Sequence, residues 1–87
     1  MDKIEVGEIQ GFPVYYIPDK RLLFCKNTIV PLDKMKEVLD SGLNRHRIER
    51  SKLTITKFDN IIELGCLTTT ITNLNIIRKK ISRYEQQ

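Results

Sequence analysis

Two stretches of this chain pass through the same order of local patterns, and that repetition constrains the fold more than any single residue does. "VYYIPDKRLLFCKNTIVPLDKMKEVL" runs from β-branched and aromatic residues through a turn into an apolar run, a Thr-containing exit and an amphipathic segment. "LTITKFDNIIELGCLTTTITNLNIIRKKI" does the same, with Asp59 standing 40 positions after Asp19. One strand–turn–strand–helix unit cannot bury both its sheet face and its helix, whereas two units sharing a core can. The reading is α+β: a small two-layer sandwich in which an antiparallel sheet carries two helices on one face. The order is ββα-ββα with an extra N-terminal edge strand. A single domain is expected over 1–87, with pseudo-repeat halves 12–42 and 52–84.

Local signals support these elements. "IEVGEIQ" alternates through Ile4, Val6 and Ile9, and Gly7 marks a bulge or bend. "VYYI" and "LLFCK" flank the turn formers Pro18 and Asp19, so 14–26 reads as a hairpin. Pro31 suits the start of a helix carrying Leu32, Met35, Val38 and Leu39, and Gly42 stops it. "KLTITKF" and "IIELGCL" form the second pair of strands. Thr72 reads as an N-cap, with Ile71 and Ile76 stapling the start of a helix. Leu74, Ile77, Ile81 and Tyr84 mark the inner face of that helix, while Arg78, Lys79, Lys80 and Arg83 mark its outer face. The expected core is Val14 or Tyr15, Leu22, Phe24, Leu32, Met35, Leu39, Leu53, Ile55, Ile62, Leu64, Leu74, Ile77 and Ile81.

Chemistry is excluded more readily than it is assigned. The one histidine, His46, lies in a polar segment read as a connector, and Cys25 and Cys66 both fall in apolar runs that read as buried. No nucleophile–base set is therefore suggested. Three Cys and His residues, widely spaced, fall short of a four-ligand zinc site. The four glycines are scattered and form no phosphate loop. No enzyme activity, metal or cofactor is expected. Apolar runs are far shorter than the ~20 residues a bilayer span needs. "MDKIEVGEIQ" carries acids and no apolar core, unlike a secretory signal, so no membrane partner and a cytoplasmic location are expected.

The net charge of +4 is unevenly placed. Residues 1–43 hold six Lys and Arg against seven acids, and residues 44–87 hold nine against four. "NRHRIERSK" concentrates Arg45, Arg47, Arg50 and Lys52, and "RKKISR" adds Arg78, Lys79 and Arg83. Arginine's planar fork suits phosphate and carboxylate alike. In the last turn of a helix, however, cations are favoured by the macrodipole without any partner. Tyr15 and Tyr16 point to opposite faces of a strand, which leaves Tyr15 as a candidate for base stacking. The candidate binding set is thus Arg45, Arg47, Arg50, Lys52, Arg78, Lys79, Arg83 and Tyr15. It points to a non-enzymatic protein that engages nucleic acid or a nucleic-acid–protein complex. The alternative is a protein-binding inhibitor or adapter using an edge strand and complementary charge against an acidic protein surface. Such an edge also permits a homodimer. The Lys, Ile and Asn content suggests an AT-rich source such as a phage or mobile element.

Overall fold

In the computed structural model, which describes residues 2–50 and 52–85, the chain is α+β: two antiparallel four-stranded sheets and two helices. The first sheet is a meander of β1 (Ile4–Ile9), β2 (Phe12–Ile17), β3 (Leu22–Cys25) and β4 (Thr28–Pro31), followed by α1 (Leu32–Asp40). The second is β5 (Arg45–Arg50), β6 (Leu53–Phe58), β7 (Ile61–Leu64) and β8 (Leu67–Thr70), followed by α2 (Ile71–Glu85).

The repeat is real in order but larger than the sequence patterns suggest. Each half is ββββα, so the N-terminal strand is matched by β5 rather than being an extra. There are two sheets in place of the expected one. "NRHRIERSK" is not a connector: its residues 45–50 form β5, at the edge of the second sheet. The Thr-containing exits are β4 and β8, short strands that pair with β3 and β7. Phe12 and Leu53 open equivalent strands 41 positions apart, and Leu22 and Ile61 open the next pair 39 apart. The difference lies in the hairpin between them, which has four residues (Pro18–Arg21) in the first half and two (Asp59, Asn60) in the second. Asp19 and Asp59 therefore do not occupy the same turn position.

The halves interlock through their helices. α1 leaves β4 and packs against β5 and β6 of the other half, while α2 packs on its own β8 and on β1 of the first. One apolar cluster unites Val6, Ile9, Val14, Tyr16, Leu23, Cys25 and Val30 with Leu32, Met35 and Val38 of α1. The same cluster includes Ile55, Ile62, Leu64 and Leu67 of the second sheet and Leu74, Ile77 and Ile81 of α2. Polar clamps close the β1–β8 side. Asn73 Nδ2 donates to the Glu8 carbonyl at 2.8 Å and to Thr69 Oγ1 at 2.9 Å, and the Thr68 N–H donates to Gln10 Oε1 at 3.0 Å.

Several facing assignments differ from the sequence reading. In β2 and β3 the buried residues are Val14, Tyr16, Leu23 and Cys25; Tyr15, Leu22 and Phe24 face outward. "LLFC" is apolar at every position, so its own alternation cannot choose a face, and the register Val14↔Cys25 and Tyr16↔Leu23 does. Leu39 and Leu53 are only partly buried, packed at the margin of the core. Cys66 is exposed in the β7–β8 turn, whereas Cys25 is buried, with burial pushing its thiol pKa up. Thr70, not Thr72, caps α2: its Oγ1 accepts from the Asn73 N–H at 3.1 Å. Ile76 and Tyr84 are exposed, so neither staples nor lines the inner helix face.

Gly7 behaves as a bulge, and the cause is visible. The β1–β2 register slips between Glu5 and Gly7, which lets Val6 and Ile9 both point inward despite their odd spacing. At Gly7 φ is +155°, and an added Cβ would lie 2.7 Å from Ile77 Cγ1. Gly7→Ala is expected to destabilise by about 1–3 kcal/mol through overpacking and backbone strain. In an Ile77→Ala background, where Cγ1 is gone, the cost should shrink, as a double-mutant cycle by denaturant unfolding would show. Equal costs in both backgrounds would mean the Gly7–Ile77 approach does not set the energy.

Ion pairs fasten the helices. Arg78 grips Asp40 with both guanidinium nitrogens, at 2.7 and 2.9 Å, joining α2 to the end of α1. Glu85 accepts from Arg21 at 2.9 Å and from Lys36 at 3.1 Å. The Arg78 hydrogen bond holds the Asp40 carboxyl below the usual carboxylate range. At Glu85 burial pushes the pKa up, but the Lys36 and Arg21 hydrogen bonds outweigh it and the net shift is downward. Both groups therefore stabilise the fold above their unfolded values near ~4, and that stabilisation vanishes as pH falls through the lower folded values. The Tm should drop below about pH 4, and Asp40→Asn should flatten that drop while lowering the Tm at neutral pH. A pH profile unchanged by Asp40→Asn would contradict this role.

Candidate nucleic-acid interface

β5 is an edge strand, so one side of its backbone has no ladder partner within the sheet. Its register against β6 sorts the side chains. Arg45, Arg47 and Glu49 lie outward beside Phe58, Thr56 and Thr54, while His46 and Ile48 lie inward beside Lys57 and Ile55. The sort follows from β6, where Ile55 and Lys57 are buried and the intervening residues are not. Arg45, His46, Arg47, Thr56, Lys57 and Phe58 together line a shallow cup of about 320 Å³.

Within the cup the cations are loosely held. The Arg45 guanidinium lies 4.5 Å from the centre of the Phe58 ring, a cation–π contact. Arg47 pairs with Glu49 at 2.7 Å, both well exposed, and an ion pair of that kind is worth at most about 1 kcal/mol. His46 Nε2 stands 4.0 Å from a Glu37 carboxylate oxygen. Lys57 is only 8% exposed and forms no ion pair among the described residues. Glu63 faces outward on β7, opposite Thr56, which confines the positive area to β5 and β6. An anion at the outer face of the cup would meet two arginines and an aromatic ring, and its approach would be resisted only by weak, solvent-screened pairs; Lys57 and His46 point to the opposite, inner face of the sheet.

The expected site residues thus separate. Arg45 and Arg47 come together in the cup. Lys52 is exposed in the turn after β5, at the other end of that strand. Arg50 ends β5, but its side chain lies outside the described part of the molecule. Arg78 is committed to Asp40. Lys79 and Arg83 are exposed on α2, a different element from the cup. Tyr15 lies on the outer face of the other sheet, with the Lys3 ammonium 4.3 Å from its ring centre. Phe58 was missed, and so were the inward setting of Lys57 and the half-buried setting of His46. The signal for Lys57 was present in "LTITKF", where it shares the parity of Leu53 and Ile55 and so must face inward.

Among the described residues, no three His, Cys, Asp or Glu side chains converge to hold a metal, and no helix is long and apolar enough to cross a membrane. Comparison with protein families, with characterised proteins and with solved structures returns no match.

Proposed function

We propose that this is a small non-enzymatic binding protein that engages nucleic acid, alone or within a nucleic-acid–protein complex, through the β5–β6 edge. The observation that carries this reading is the outer face of the β5–β6 edge, where Arg45 and Arg47 project from the same side and Arg45 lies over the Phe58 ring. Phosphates take the cations, and a base can stack on the ring or on the guanidinium plane. Contacts of this kind read the backbone and not the sequence, so binding is broad in sequence and steep in salt. With two phosphate contacts, raising salt from 50 to 200 mM should weaken duplex binding ~12-fold and single-strand binding ~7-fold. Fluorescence anisotropy with labelled DNA and RNA oligonucleotides measures this directly. Absence of binding to every oligonucleotide at the lower salt would overturn the reading.

A second reading has one observation in its favour. The outer face of β2–β4 is apolar in two cross-strand rows, Tyr15–Phe24–Ile29 and Ile17–Leu22–Pro31. Contiguous apolar surface of this kind marks protein contacts. On this reading the protein is an adapter or inhibitor that docks a protein partner and does not touch nucleic acid. Oligonucleotide binding at low salt that disappears with the cup's arginines would rule it out as the sole function.

A further inference from the structure

A second and larger cavity of about 680 Å³ is lined by residues of both halves. Its walls are aliphatic: Ile29 and Pro31 from the outer side of β4, and Leu53 from the start of β6. Ile29 is 52% exposed, a large apolar side chain with no place in the core. The polar groups are few. Asn27 offers a side-chain amide and Thr28 a hydroxyl, Lys34 and Lys52 offer ammonium groups, and no carboxylate lines the cavity among the described residues. Lys34 pairs with Glu37 at 3.4 Å across one helical turn, a solvent-screened contact that an incoming anion displaces.

These groups ask for three features in one ligand: an apolar body, a polar edge and negative charge. An inorganic anion would leave the aliphatic walls wet. A fatty acid would leave the Asn27 amide unused. A nucleotide satisfies all three, since the faces of a base are apolar, its edge pairs with an amide and its phosphate pairs with lysines. The volume falls in the range typical of small-molecule sites. We infer that the cavity between the halves is a nucleotide site. The base lies between the Ile29–Pro31 wall and Leu53 with its edge toward Asn27, and the phosphate is held by Lys34 and Lys52. The same chemistry is presented by a free mononucleotide and by an unstacked nucleotide of a longer strand. The site shares no residue with the cup and does not depend on it.

The protein carries its own reporter. Cys66 lines the cavity and is exposed, while Cys25 is buried, so a thiol reagent such as Ellman's reads Cys66 alone. The modification rate is to be measured with the four ribonucleoside monophosphates, their unphosphorylated nucleosides, inorganic phosphate and a short single-stranded oligonucleotide. At a nucleotide concentration four times Kd, the unliganded fraction and hence the rate should fall about fivefold. Nucleoside or phosphate alone should protect far less. A Lys34→Ala/Lys52→Ala variant with unchanged melting should lose the protection, and an Arg45→Ser/Arg47→Ser variant should keep it. Protection by mononucleotides assigns the free ligand, and protection by the oligonucleotide alone assigns a strand. No slowing with either would overturn the site. So would equal protection by phosphate alone, protection that survives the lysine changes, or protection lost with Arg45 and Arg47.

Discussion

An Ile77→Asp variant should not fold. Ile77 is 0% exposed on α2 and presses against Gly7 of β1, the point where the second half's helix crosses onto the first half's sheet. A domain of this size has a stability of about 4–13 kcal/mol. Burying an unpaired carboxylate costs more than such a margin allows. The crossing of the helices makes the loss general. α2 cannot leave β1 without uncovering Val6 and Ile9, so both halves should fail in one transition and not in sequence. Circular dichroism of the purified variant should show an unfolded chain. A soluble Ile77→Asp protein that melts cooperatively would mean α2 does not seal the core as described.

How much of this was legible in the sequence depends on which residues carry the signal. Helical spacing placed Leu32, Met35, Leu74, Ile77 and Ile81 correctly, because a 3.6-residue apolar period has few other solutions. Gly7 signalled its bulge because a glycine inside an alternating run has little other use. β5 was illegible for a physical reason. As an edge strand it faces the core with His46 and Ile48 and faces water with charges, so it holds one aliphatic residue in six and mimics a loop. The face of "LLFC" was equally hidden, since only pairing with β2 decides it. Cys66 looked buried because its neighbours are apolar, yet the β7–β8 turn places it in solvent.

The candidate site shows the same split. Arginine density in "NRHRIERSK" pointed to Arg45 and Arg47, which line the cup. It could not find Phe58, which stands beside Arg45 only through the β5–β6 register. Charge on the last helix misdirected, because Arg78 serves the fold by gripping Asp40. Arg78→Ala should therefore lower the Tm and leave nucleic-acid affinity nearly unchanged, the reverse of what the cup arginines should do.

Arg45 and Arg47 carry the second large effect. Both project outward from an edge strand, where substitution costs the fold under about 0.5 kcal/mol each. On the proposed reading each arginine would make a charge-assisted contact to phosphate worth about 1.5–3 kcal/mol. Their joint replacement by Ser should weaken binding by at least an order of magnitude and reduce the salt slope by about two contacts. The decisive measurement is an anisotropy titration of a labelled oligonucleotide at low salt, run side by side on the wild type and the Arg45→Ser/Arg47→Ser variant, with the Tm of each recorded. Salt-sensitive binding by the wild type, and at least tenfold weaker binding by a variant of unchanged Tm, is the predicted result. A variant that keeps its Tm and binds as tightly as the wild type would contradict the β5–β6 edge as the nucleic-acid contact.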